Sequence, residues 1–141
     1  MSRVQEPAPA VIEDLLLSFG PFGVAVCQGP YGIFRWQRQN VFTIQLTNCR
    51  LIGIRRSRLR LRRSRGGEPF EISYQAIVSV RLLPHPSPIG LMKVLDIVYR
   101  DAGMVQERSI AAYSQFAERA FAILQAYAPG ACGTPTEYLP S

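Results

Sequence analysis

From Val41 to Ile110 apolar and polar residues mostly alternate with a period of two, and beyond Tyr113 the period lengthens to that of a helix. Period two marks strands with one face buried. In 41–47, Phe42, Ile44 and Leu46 share one face, and Thr43, Gln45 and Thr47 share the other. Thr47-Asn48 predicts a turn, after which 50–56 returns with Leu51, Ile52 and Ile54. Residues 58–62 alternate again, with Leu59 and Leu61 inward and arginines outward, and Gly66-Gly67 signals a hairpin. A short strand follows at 70–74, then a β-branched, apolar run at 77–83 that predicts a central strand. Pro84-His85-Pro86-Ser87-Pro88 loses backbone donors at alternate positions and predicts an exposed loop. Strands at 93–100 and 104–110 are joined by a hairpin turn at Asp101-Ala102-Gly103. Tyr113, Phe116, Ala117, Ala120, Phe121, Leu124 and Tyr127 then form one stripe of an amphipathic helix, which Pro129-Gly130 ends.

The first forty residues read differently. Ala8, Val11, Ile12, Leu15, Leu16 and Phe19 recur at helical spacing and predict an N-terminal amphipathic helix over 9–19. Pro9 suits its start, Glu13 and Asp14 lie near its positive end, and Gly20-Pro21 stops it. Two short apolar segments, 24–27 and 31–36, predict a first strand broken at Gly29-Pro30. The expected organisation is a flanking segment and helix at 1–19, a folded domain at 20–127 and a loose tail at 128–141. The expected fold is mainly β: about seven antiparallel strands in a β-sandwich or partly open barrel, capped by a C-terminal α-helix.

Composition narrows the function classes. The chain has 141 residues, 48% of them hydrophobic. A chain of that size buries roughly two-thirds of its unfolded surface and needs no metal or disulfide to hold together. No apolar run approaches the about 20 residues of a membrane span. The N-terminus MSRVQEPAPA lacks the layout of a signal peptide. The expectation is a cytoplasmic protein that could sit peripherally at the inner membrane surface. Cys27, Cys49 and Cys132 are widely spaced and form no CxxC, so they read as reduced, partly buried thiols. Together with His85 they offer no zinc set. His85 itself reads as a solvated loop histidine. No glycine-rich stretch precedes a helix to cradle phosphate. The sequence therefore predicts no enzyme activity, no cofactor and no metal.

Charge supplies the one functional signal. Net charge is +6, with sixteen basic residues, of which only Lys93 is not arginine. The candidate binding residues are Arg55, Arg56, Arg58, Arg60, Arg62, Arg63 and Arg65, with Arg35 and Arg38 upstream. Arginine's planar fork suits carboxylate and phosphate and tolerates interfaces. A charged edge strand that blocks aggregation is the plain structural alternative. Such an edge does not call for seven arginines with only Glu68 and Glu71 as neighbouring acids. The expected partner is an acidic protein surface. Anionic lipid is the first alternative, each base contributing about 1 kcal/mol near such a surface. Nucleic acid comes last, because no aromatic is interleaved between Arg55 and Arg65 to stack on bases.

Leu46-Thr47-Asn48-Cys49-Arg50-Leu51-Ile52-Gly53-Ile54 resembles the L-T-n-x-R-L-i segment of bacterial PH-like and GRAM-type domains. Tyr74-Gln75-Ala76-Ile77-Val78-Ser79-Val80 is similar to the family's next landmark, and 99–103 and 116–124 to its late hairpin and capping helix. The resemblance covers roughly 20–127 and implies a two-sheet, seven-stranded sandwich with a C-terminal helix. It implies little about ligand. Eukaryotic PH domains often hold phosphoinositide heads with bases around the first hairpin, where this chain has only Arg35 and Arg38. Its strong basic cluster comes later, and many PH-like domains bind proteins instead.

Overall fold

The computed structural model describes residues 12–29, 40–55, 69–85 and 91–132. Among these the chain forms β1 (Leu15–Phe19), β2 (Ala25–Gln28), β3 (Phe42–Thr47), β4 (Arg50–Arg55), β5 (Phe70–Ser73), β6 (Ile77–Pro84), β7 (Met92–Asp101) and β8 (Met104–Tyr113). Helix α1 (Ser114–Tyr127) and a short α2 (Pro129–Cys132) follow. The strands make two four-stranded antiparallel sheets, ordered β1-β3-β4-β5 and β2-β8-β7-β6. The mainly β class and the closing C-terminal helix are as the periodicity indicated, and the described strands form two open sheets rather than a closed barrel.

The core lies between the sheets. Ile44, Leu46, Leu51 and Ile72 of the first sheet, and Val80, Leu95, Ile97 and Ile110 of the second, belong to one buried cluster. Ala120 and Leu124 of α1 join it. The alanines at 117 and 120 matter because a helix that closes an opening must come close to the strands, and both are buried. Phe116, on the first turn of α1, stacks face to face on Phe19 at 5.3 Å between ring centroids. That contact ties the helix to the β1 edge of the first sheet. Tyr74, in a 3-10 turn between β5 and β6, is buried, and its hydroxyl donates to the Thr47 carbonyl at 2.6 Å. Burial pushes its pKa up.

The hairpin between β7 and β8 has the sharpest local logic. Asp101 pairs with Met104, so the loop is Ala102-Gly103 alone, with φ of 53° and 82°. Positive φ at both positions is the two-residue turn whose twist matches the strands. Glycine takes it without strain and alanine does not.

Several expectations change. The N-terminal helix expected over 9–19 is contradicted where it can be seen: 12–14 is irregular and Leu15–Phe19 is β1, paired with β3. The run LLLSF is short enough to satisfy both periods, and the open edge of β3 decides in favour of a strand. Leu17 and Phe19, two residues apart in regular register with β3, both turn inward. The remainder of that helix, 9–11, lies outside the described residues. So do the expected strand at 31–36, the Arg58–Arg62 strand, the Gly66-Gly67 turn and Pro86–Pro88.

Among the described strands β6 is not central but the edge of the second sheet. Its apolar character serves α1 and α2, which pack on it. The tail expected to be loose from 128 starts as a folded element: Ala128 is fully buried, and a Cβ on Gly130 would stand 2.0 Å from the Ile77 carbonyl oxygen. Only glycine allows α2 to lie that close. His85 is not a solvated loop residue either. It directly follows β6, is 8% exposed, and burial lowers its pKa. Of the cysteines, Cys27 is buried and Cys49 half-buried.

Candidate anion-binding corner

Of the nine candidate arginines, Arg55 alone falls within the described residues. It is the last residue of β4, half-buried, and stands opposite Phe42 on β3. Arg56, Arg58, Arg60, Arg62, Arg63 and Arg65 follow it in the chain, and Arg35 and Arg38 follow β2; all eight lie outside the described residues. What the structure does place are the strand ends from which those segments leave and to which they return.

The ends meet at a residue that the charge pattern did not single out. Arg108 lies on β8 in inward register with Ile110 and Ala112. Its guanidinium sits over the Phe70 ring, 4.0 Å from the centroid, and its Nη2 donates to Gln28 Oε1 at 3.4 Å. Gln28 in turn donates through Nε2 to Gln106 Oε1 at 3.3 Å. Phe70 opens β5 and Gln28 closes β2. One arginine thus joins the end of β2 to the start of β5 across the two sheets, with a cation–π contact of ~1 kcal/mol. Phe70 also meets Phe42 edge-on at 5.4 Å, and Phe42 is the cross-strand partner of Arg55. The corner therefore runs Gln28, Arg108, Phe70, Phe42, Arg55. The chain leaves it at Gly29 and at Arg55, and returns to it at Phe70. Helix α1 packs on β6, β7, β8 and β1.

Chemically the corner presents guanidinium groups backed by aromatic rings. Such a surface attracts carboxylates and phosphates. The Nε of Arg108 is buried without a hydrogen-bond partner among the described residues. The sequence signal that could have found Arg108 is its register: an arginine on the same strand face as the buried Ile110 and Ala112 needs an anion, a polar partner or an aromatic ring.

Arg50 belongs elsewhere. It takes Glu13 through Nε at 2.8 Å and Nη2 at 3.2 Å, and reaches Glu71 through Nη1 at 2.8 Å. Thr47 Oγ1 donates to the same Glu13 carboxylate at 2.7 Å. Arg50, then Thr47, holds Glu13 below the usual carboxylate range. This network ties the segment before β1 to β4 and β5, and it consumes Arg50 structurally.

A second polar group crosses the outer face of the second sheet. Arg81, Asp96, Ser109 and Cys27 are successive register partners on β6, β7, β8 and β2. Asp96 is 1% exposed, accepts from Ser109 Oγ at 2.9 Å, and pairs with Arg81 Nη2 at 2.8 Å. Glu107 hydrogen-bonds the same carboxyl, and this contact, aided by burial, pushes its pKa up to about 7. Two carboxyl groups in contact need a proton between them.

The consequence for stability has a definite sign. Glu107's folded pKa of about 7 lies above its ordinary 4.5, so its contribution is complete below pH 4.5 and is lost as pH rises through 7. His85 acts oppositely: its pKa is lowered from 6.5, so its contribution is lost as pH falls through that value. Glu107→Gln should therefore gain on wild type as pH rises from acid to mildly alkaline. The gain should be about 1 kcal/mol, since Glu107 is partly exposed and screened by solvent. Parallel denaturant titrations of the two proteins check it; curves that stay parallel across the range contradict it.

Among the described residues no helix is long and apolar enough to cross a membrane. No protein-family model matches the chain, and no curated protein matches its sequence.

Proposed function

We propose that this chain is a non-enzymatic PH-like binding module that docks its arginine-bearing corner onto an acidic protein surface, as an adaptor or as a subunit of a larger assembly. One observation carries the reading. The strand ends that emit the Arg35–Arg38 and Arg56–Arg65 segments converge on Arg108 and Phe70, so both basic segments attach at a single corner. Arginine is enriched at protein interfaces relative to the rest of the surface. Two sheets closed by one C-terminal helix agree with the PH-like reading.

Attachment to anionic lipid is the second reading, and one feature favours it. Met104 and Val105, at the tip of the β7–β8 hairpin, are 62% and 61% exposed and lie two and one residues from Gln106 of the corner. Apolar tips beside bases can enter a headgroup layer.

Co-purification from native lysate at low salt tests the first reading. An acidic protein should be recovered in stoichiometric amount, and a chain that elutes alone counts against it. Flotation with vesicles containing phosphatidylserine separates the second: binding that needs the anionic lipid supports it. A gel-shift salt series with duplex DNA covers the remaining phosphate chemistry, where a steep log–log slope is the positive result.

A further inference from the structure

Several bases of the two sheets are matched to acids. Arg50 holds Glu13 and Glu71, Arg81 holds Asp96, and Lys93 pairs with Glu118. Arg108 has no carboxylate partner among the described residues. It is half-buried and stands opposite Ile97, which is wholly inaccessible. From β8 of the second sheet its side chain reaches the Phe70 ring of the first. The residues grouped with it on this inward side are Gln28, Phe42, Arg55 and Phe70, and no acid is among them. The acids adjacent in sequence turn the other way, Glu71 to Arg50 and Glu107 to Asp96.

A guanidinium stacked on a ring uses its face and keeps its in-plane edge for hydrogen bonds. Among the described residues that edge has one acceptor, Gln28 Oε1, which takes Nη2 at 3.4 Å, a long contact to a neutral amide. Nε is buried with no acceptor at all. A cation desolvated to this degree and unmatched by an anion costs free energy, which a carboxylate at its edge would offset. We propose that Arg108 is the anchor of the docking surface and takes a carboxylate of the partner, an aspartate or glutamate side chain, while Phe70 and Gln28 hold its plane. The inference rests on the acidic-partner reading and divides the work within it. Hot spots favour desolvated arginine in well-packed settings, whereas rim charges mainly speed encounter. The arginines of 56–65 supply charge, and Arg108 supplies a fixed direction.

Hexaglutamate is the probe, added to the full chain at low salt while arginine Nε–H signals are followed by NMR. The Arg108 signal is identified by its absence from Arg108→Lys. The expected result is movement of that signal on titration. Arg108→Lys keeps the charge and loses the planar fork, so it should bind the peptide about tenfold more weakly, the worth of one charge-assisted hydrogen bond. Should that variant fold poorly, the wild-type titration decides alone, with the signal assigned through its own backbone. Binding that shifts backbone amides but leaves the Arg108 signal in place overturns the anchor and leaves arginine docking intact. A folded Arg108→Lys protein that binds as tightly as wild type does the same. A larger movement with inorganic phosphate than with the peptide, at equal ionic strength, overturns the carboxylate as its ligand. No binding of the peptide overturns the acidic-partner reading and the anchor with it.

Discussion

Gly53→Val should destabilise the fold by about 3 kcal/mol, the range for overpacking a well-filled site. Gly53 is in the middle of β4, opposite Phe70 on β5. A Cβ there would lie 2.2 to 2.7 Å from three atoms of the Phe70 ring. The ring has little freedom to retreat, because Phe42 meets it edge-on and Arg108 lies over its face. Valine itself suits a strand, so the loss reports the collision and not a propensity. Phe70→Ala removes the obstacle. The double variant should then be more stable than the sum of the two single effects by at least about 1 kcal/mol, the signature of residues in contact. Thermal or urea unfolding of the four proteins measures this, and simple additivity would contradict the packing described.

Asp96→Ala should be nearly as damaging, at about 3 kcal/mol. The substitution leaves the Ser109 hydroxyl and the Glu107 carboxyl without their shared acceptor inside a buried face. Removing one member of a buried polar group costs more than the group contributes as a whole, since the remaining members stay desolvated. Arg81 limits the damage, because its side chain is 52% exposed and water can replace the lost carboxylate. Ser109 is fully buried and keeps only its longer contact to the Gly29 carbonyl, at 3.3 Å. Asp96→Asn keeps the shape and one acceptor, so it should lose less than half as much. Urea midpoints of the two variants separate these outcomes, and equal losses would show that packing rather than polarity dominates at this site.

Both residues explain how much of the molecule could be read in advance. Strands with a clean period of two were legible, because their apolar face enters the core: Phe42, Ile44 and Leu46 are all nearly inaccessible, as their spacing implied. The amphipathic stripe of α1 was legible for the same reason at period 3.6. Leu15–Phe19 was not. Five residues are too few to separate the two periods, and its state is fixed by the unpaired edge of β3, which lies far away in sequence. Asp96 was not either. In the run Val94–Val98 it looks like the solvated face of a strand, yet its face is covered and it forms hydrogen bonds with β6 and β8. His85, set among prolines, looked like a solvated loop and is buried where β6 ends.

The candidate site divides in the same way. Its charge was visible in composition, and its sign follows from counting arginines. Its location was not, because convergence of the ends of β2, β4 and β5 depends on how two sheets meet. Arg108 escaped notice because it is a single base in a different part of the chain. It is the residue that joins the end of β2 to the start of β5.

The most direct test of arginine docking is Arg58→Ser/Arg60→Ser/Arg62→Ser in a native pull-down, with the melting temperature measured on the same preparation. The account predicts an unchanged melting temperature and recovery of the acidic partner reduced at least about tenfold, as expected when three charged contacts of modest strength are lost together. A variant that unfolds, or one that retains the partner in full, would contradict it.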